Sequence, residues 1–179
     1  MSFAYLPNVL SLARVLLAVV MFYCIFKAYW FLAATTLWLS VFSDILDGFL
    51  ARKLKTVSNL GGLIDHGSDA MFVTLTVAAL TFHNFAPPAL ALIIPAAFLQ
   101  YVLDSKTLSG QPLRANNLGR YNGIAYYVFS GFPVMQIALG ITLIPFDWFI
   151  WIGWALVLST AISMIDRLAT LMSNWSVNK

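Results

Sequence analysis

Four aspartates hold most of the chemistry this sequence can perform. Asp44 and Asp47 are followed by Gly48, Ala51 and Arg52, and eight residues later come Gly61, Asp65 and Asp69. As a pattern this is D-x-x-D-G-x-x-A-R-x(8)-G-x-x-x-D-x-x-x-D. The chain has seven acidic residues, all Asp, and four of them fall within these 26 residues, flanked on both sides by apolar sequence. Carboxylate oxygens are hard donors, suited to Mg²⁺, Mn²⁺ or Ca²⁺ rather than to Zn²⁺ or Cu⁺. His66 is the one imidazole in the stretch, and no cysteine lies there. Four such groups can hold one or two divalent ions.

The spacing fixes how they meet. Asp44 and Asp47 are i, i+3 on one helix face, and Asp65 and Asp69 are i, i+4 on another. Two antiparallel helices joined by a short loop would bring the two acidic faces together. One Asp at mid-membrane costs roughly 2.5–3.5 kcal/mol, less near a helix end. Arg52 offsets one charge at most, so divalent cations are expected to supply the rest. Two ions beside a membrane interface suit phosphoryl-type transfer: they clamp a pyrophosphate and stabilise the leaving group, while one carboxylate takes a proton. Gly48 and Ala51 leave room for a substrate to approach the backbone, or for close helix packing. Arg52 adds a fixed cation for a phosphate.

The elements that must position these residues lie in a membrane. Of 179 residues, 61% are hydrophobic and 9% charged, with a mean hydropathy of +0.85; a soluble domain is about 25% charged. The expected fold is an all-α integral membrane protein: one domain over residues 1–179, a bundle of six transmembrane helices with a short interfacial N-terminal segment over Met1–Asn8. The spans are read as Val9–Phe26, then from near Trp30 into the Asp44–Arg52 segment, Gly61–Phe82, Ala89–Val102, Tyr121–Ile141 and Trp148–Ile165, with Asp166 and Arg167 ending the last. Ser58-Asn59 reads as the start of the third helix, and Asp104–Arg120 as a polar loop or short interfacial helix. No secretory leader is expected, because Arg14 interrupts the first apolar run. The single cysteine, Cys24, reads as a small apolar packing residue.

Counting Lys and Arg by loop gives the orientation. The N-terminal side, second loop, fourth loop and tail hold Arg14, Arg52, Lys53, Lys55, Lys106, Arg114, Arg120, Arg167 and Lys179, against Lys27 on the other side. A multi-pass protein of the cell (inner) membrane is expected, with both termini and the aspartates facing the cytoplasm. The basic residues are scattered, which argues against nucleic acid as a partner.

The aspartate pattern resembles the signature of the CDP-alcohol phosphotransferases (class-I CDP-alcohol phosphatidyltransferases), with all eight fixed positions matched and the spacing intact. The resemblance implies that Asp44, Asp47 and Asp65 ligate two ions, Mg²⁺ or Mn²⁺. Asp69 would touch a metal and act as general base. Gly48, Ala51, Arg52 and Gly61 would contact the CDP moiety of CDP-diacylglycerol. A substituted phosphate would pass to a polar alcohol, with release of CMP, in phospholipid biosynthesis. Family members are commonly homodimers.

The opening Pro7-Asn8-x-x-Ser11-x-x-Arg14 and the chain length resemble small phosphatidylglycerophosphate and cardiolipin synthases, which favours glycerol 3-phosphate as acceptor. Lys106, Arg114, Arg120 and His66 are the candidate acceptor contacts, with Asn117, Tyr121 and Asn122 near Arg120. The Asp65-His66 pair is instead similar to the aminoalcohol phosphotransferases, which use CDP-choline or CDP-ethanolamine with diacylglycerol. A divalent-cation transporter is the competing class. It would carry acidic residues at depth in several spans, whereas the spans after the third carry none before Asp166.

Overall fold

The computed structural model describes residues 6–53, 58–105 and 116–177. Six helices follow one another: α1 Leu6–Phe26, α2 Trp30–Lys53, α3 Asn59–Thr81, α4 Pro88–Asp104, α5 Asn117–Ala138 and α6 Phe146–Val177. No strand occurs among the described residues. Four helices, α1, α2, α3 and α6, are long and apolar enough to cross a membrane. α4 is apolar but has 17 residues, about 26 Å at 1.5 Å per residue. α5 buries several polar residues, among them Asn122, Ser130 and Gln136. The protein is an all-α membrane bundle.

α1 lies at the centre of one half of the bundle. Ser11, Arg14, Ala18, Met21 and Ile25 recur at steps of three and four and are all buried, so one face of α1 packs against α2 and α3. α5 and α6 pair and reach α2 and α4 respectively, and α4 also packs on α3. Phe72, Val77, Leu80, Leu90, Val134 and Phe149 fill the core between them. The tight α1–α2 turn closes through Ala28 in the left-handed region (φ 56°), while Tyr29 N–H donates to Cys24 O at 2.7 Å.

Ser58 starts α3 as the sequence leads one to expect, its side chain accepting from Gly61 N–H at 3.0 Å. Two boundaries differ. α5 begins at Asn117 rather than Tyr121, because Asn116 caps it by accepting from Gly119 N–H at 3.1 Å. Arg120 therefore sits in the first turn of a helix, not in a loop. α6 does not stop at Asp166-Arg167 but runs to Val177. Both side chains are satisfied laterally: Asn116 Nδ2 donates to Asp166 Oδ2 at 3.0 Å, and Arg167 Nε to Asp104 Oδ2 at 3.2 Å. The interfacial segment expected over Met1–Asn8 lies outside the described residues up to residue 5, and Leu6, Pro7 and Asn8 belong to α1.

Candidate active site

Asp44 and Asp47 stand on one face of α2, Asp65 and Asp69 on one face of α3, and the two faces converge. Carboxylate oxygens of Asp44, Asp47 and Asp65 lie within 4.8 Å of one another, as do ligand atoms of Asp65, His66 and Asp69. Asp65 is common to both groups. Asp47 is 4% exposed, while Asp44 is 48% exposed at the rim.

The charge balance differs from the sequence expectation. The cation inside the cluster is Arg14 of α1, 0% exposed, and not Arg52. Its Nη2 lies 2.7 Å from Asp47 Oδ2 and 3.0 Å from Asp44 Oδ1. Its Nη1 lies 3.0 Å from Asp65 Oδ1, also donates to Asp69 Oδ1, and reaches Ser68 Oγ at 3.3 Å. Arg14 is therefore no loop charge in the positive-inside count. The planar fork of a guanidinium makes this possible, since its two terminal nitrogens face different helices. One guanidinium among four carboxylates still leaves the cluster anionic, so the expectation of further positive charge stands. Each of these contacts falls on a single oxygen of its carboxylate, Oδ2 for Asp47 and Oδ1 for the other three.

Ser11, one turn before Arg14, donates to Asp47 Oδ2 at 3.1 Å. From α5, Tyr127 donates its hydroxyl to Asp69 Oδ1 at 3.1 Å, and its ring stacks on Phe72 with centroids 6.0 Å apart. Ser11 and Arg14 belong to the opening resemblance and not to the aspartate pattern, and Tyr127 belongs to neither, yet all three meet the motif carboxylates. An arginine within an 18-residue apolar span, in phase with the buried face of α1, was the available signal, because an intramembrane charge needs a partner. No sequence signal pointed to Tyr127.

Arg52 is exposed at the end of α2. Its guanidinium folds back along the helix, with Nη1 3.5 Å from where a Cβ on Gly48 would stand. A Cβ there would meet the guanidinium at ordinary contact distance, so the Arg52 position does not by itself require the glycine. Gly61 lies in the capped first turn of α3.

Beside the aspartates a pocket of about 540 Å³ opens between α3, α4, α5 and α6, and Gly48, Arg52 and Gly61 are not among its lining residues. Asp44, His66 and Asp69 line it from α2 and α3, and Arg120 and Asn122 line it from α5. Of the candidate acceptor contacts, His66 and Arg120 therefore reach one pocket, and both are exposed. Lys106 and Arg114 lie outside the described residues. Asn117 and Tyr121 are exposed and do not line it.

A family model described as CDP-alcohol phosphatidyltransferase matches residues 4–166, from before α1 to deep in α6. The chain belongs to the CDP-alcohol phosphatidyltransferase family. Among curated relatives it is 30% identical over 146 residues to a cardiolipin synthase (CMP-forming) of Streptomyces coelicolor, covering 75% of this chain and 66% of the relative. It is 30% identical over 78 residues to the CDP-diacylglycerol–glycerol-3-phosphate 3-phosphatidyltransferase of Aquifex aeolicus, covering 44% of each. It is also 32% identical over 90 residues to human cardiolipin synthase (CMP-forming), covering 50% of this chain and 30% of that one. The matches thus span between 30% and 66% of these relatives' lengths. No solved structure matches.

CDP-alcohol phosphatidyltransferases are generally divalent-cation-dependent, and the donor set here fits such an ion. It offers the hard oxygens of four aspartates, with His66 the one nitrogen donor grouped with them, and Arg14 meets a single oxygen of each aspartate.

Proposed function

We propose that the protein transfers the phosphatidyl group of CDP-diacylglycerol to an alcohol hydroxyl, releasing CMP, as a step of phospholipid synthesis. The observation that carries this reading is the convergence of Asp44, Asp47, Asp65 and Asp69, from two helices, on one anionic point inside an apolar bundle. Asp44, Asp47, Asp65 and Asp69 would hold two ions, Mg²⁺ or Mn²⁺. When bound, such ions supply positive charge to the pyrophosphate and to the departing phosphate. Arg52 binds a donor phosphate, and Gly48, Ala51 and Gly61 let the CDP moiety lie close to the helix backbones.

Asp69 takes the proton of the acceptor hydroxyl as its oxygen forms a bond to the phosphorus carrying the diacylglycerol. The phosphorus–oxygen bond to CMP breaks, and CMP leaves with the electron pair. Tyr127, donating to Asp69, holds that carboxylate towards the pocket. The chain acts as one domain. All six helices cross the cell (inner) membrane, with both termini and the site facing the cytoplasm. This orientation is supported by the excess of Lys and Arg on that side once Arg14 is removed from the count.

The test is CMP release by purified protein in detergent, with Mg²⁺ or Mn²⁺ and CDP-diacylglycerol. The acceptors are supplied singly, and Asp69→Asn is the control. Acceptor-dependent CMP that the control lacks supports the reading. Release only with CDP-choline or CDP-ethanolamine and diacylglycerol would replace it with the aminoalcohol reaction that the Asp65-His66 pair resembles.

A further inference from the structure

α1 places two polar side chains, one turn apart, between the acidic faces of α2 and α3. Ser11 Oγ donates to Asp47 Oδ2 at 3.1 Å and reaches Asp65 Oδ1 at 3.5 Å. Arg14 bridges the same two helices with charge. Its Nη2 faces the α2 pair, Asp44 and Asp47, and its Nη1 faces the α3 pair, Asp65 and Asp69. Among the described residues, every ion pair of these four aspartates is made with Arg14. The guanidinium is 0% exposed, and its Nε has no hydrogen-bond partner. A buried donor left unpaired is costly. The side chain is therefore held by the carboxylates that its two ends serve, at the expense of its own third donor.

Without that cation, carboxylates from two helices would face one another away from water, where like charges repel strongly. One unit charge does not neutralise four, but it lies between both pairs and draws both helices to one point. The same position sets it against a divalent ion. Asp44, Asp47 and Asp65 form one group of possible ligands, and Asp65 and Asp69 form the other with His66. A cation entering either group meets the guanidinium charge at close range. Arg14 also favours such an ion by keeping the carboxylates together. That is the smaller effect, because Ala18, Met21 and Ile25 continue the same face of α1 into the apolar core, and α1 packs along both α2 and α3.

Resting on the divalent-ion reading of the four aspartates, we infer that Arg14 is a positioning residue that serves as the site's built-in counter-ion. It holds the acidic faces of α2 and α3 together whenever no divalent ion is bound, and its charge weakens the hold on the ions that share those carboxylates. The protein then stays assembled when its ions are lost and takes them up again without refolding.

The experiment measures Mn²⁺ binding and thermal unfolding in detergent for the unaltered protein, Arg14→Met, Arg14→Lys and Lys53→Met. Each is purified in Mn²⁺ and then stripped with chelator. Lys53→Met removes an exposed cation at the end of α2 and controls for net charge. The unaltered protein should stay folded after stripping. Free Mn²⁺, read by its electron paramagnetic resonance signal, should give Arg14→Met a Kd at least about tenfold lower than that of the unaltered protein, with a correspondingly larger rise in unfolding midpoint when Mn²⁺ is added. Arg14→Lys should fall between the two, because one ammonium keeps the charge but cannot face both pairs. Lys53→Met should match the unaltered protein within about twofold, since an exposed charge is screened. An equal or weaker affinity in Arg14→Met, or unfolding of the unaltered protein on stripping, overturns the inference and leaves the divalent-ion reading standing. If Arg14→Met does not fold even in Mn²⁺, Arg14→Lys carries the comparison, and an affinity no higher than that of the unaltered protein overturns the inference. Absence of Mn²⁺ binding in all four proteins overturns the divalent-ion reading as well.

Discussion

Arg14 Nη2 lies 2.7 Å from Asp47 Oδ2, and both side chains are buried. α1 and α2 are thus joined by an ion pair at the centre of the site. Removing one partner of a buried pair leaves an uncompensated charge, which costs about 3–5 kcal/mol. Arg14→Met should lower stability by about that much, read as the unfolding midpoint in detergent. Arg14→Lys should recover less than half of it, because one ammonium cannot fork between the α2 and α3 carboxylates. A midpoint unchanged in Arg14→Met would show that the bundle does not depend on this contact.

Asp69→Asn keeps the shape of the side chain and removes its basicity. CMP release should fall by about 10²- to 10⁴-fold, the usual contribution of a positioned base. Binding of a CDP-donor analogue, followed by equilibrium titration, should stay within a few-fold. Near-normal turnover would remove Asp69 from the base role.

Tyr127 touches Asp69 at 3.1 Å and no other motif aspartate among the described residues. Tyr127→Phe should reduce kcat by about tenfold while leaving the donor KM unchanged. Stability should fall by no more than about 1.5 kcal/mol, the value of one hydrogen bond. A loss confined to stability would make Tyr127 a packing residue.

Chelation should stop the reaction, and excess Mg²⁺ or Mn²⁺ should restore it. Hard oxygen donors predict little rescue by softer ions. Turnover that survives excess chelator would rule out the divalent-ion role of the four carboxylates.

Arg120, on the first turn of α5 and lining the pocket, should show its role in acceptor kinetics. Arg120→Ala should raise the KM of an anionic acceptor by about tenfold, or about 1.4 kcal/mol, with kcat little changed. An unaltered KM would return Arg120 to an ordinary surface charge.

The sequence by itself determined the membrane setting, the order of the helices and the aspartate motif. Long apolar runs cannot be satisfied in water, and i, i+3 and i, i+4 spacings fix a helix face whatever the tertiary context. It also determined the Ser58 cap, because capping is local. The tertiary structure decided what crosses between helices. Arg14 is 30 residues or more from every aspartate it meets, and Tyr127 is 58 residues from Asp69. Nothing local encodes those contacts; they follow from α1 and α5 packing against the acidic faces. The end of α6 was likewise hidden, since Asp166 and Arg167 look like a stop until Asn116 and Asp104 appear beside them. The pocket too exists only in three dimensions. Residues of α2, α3, α4, α5 and α6 line it, and no single stretch of sequence contains it.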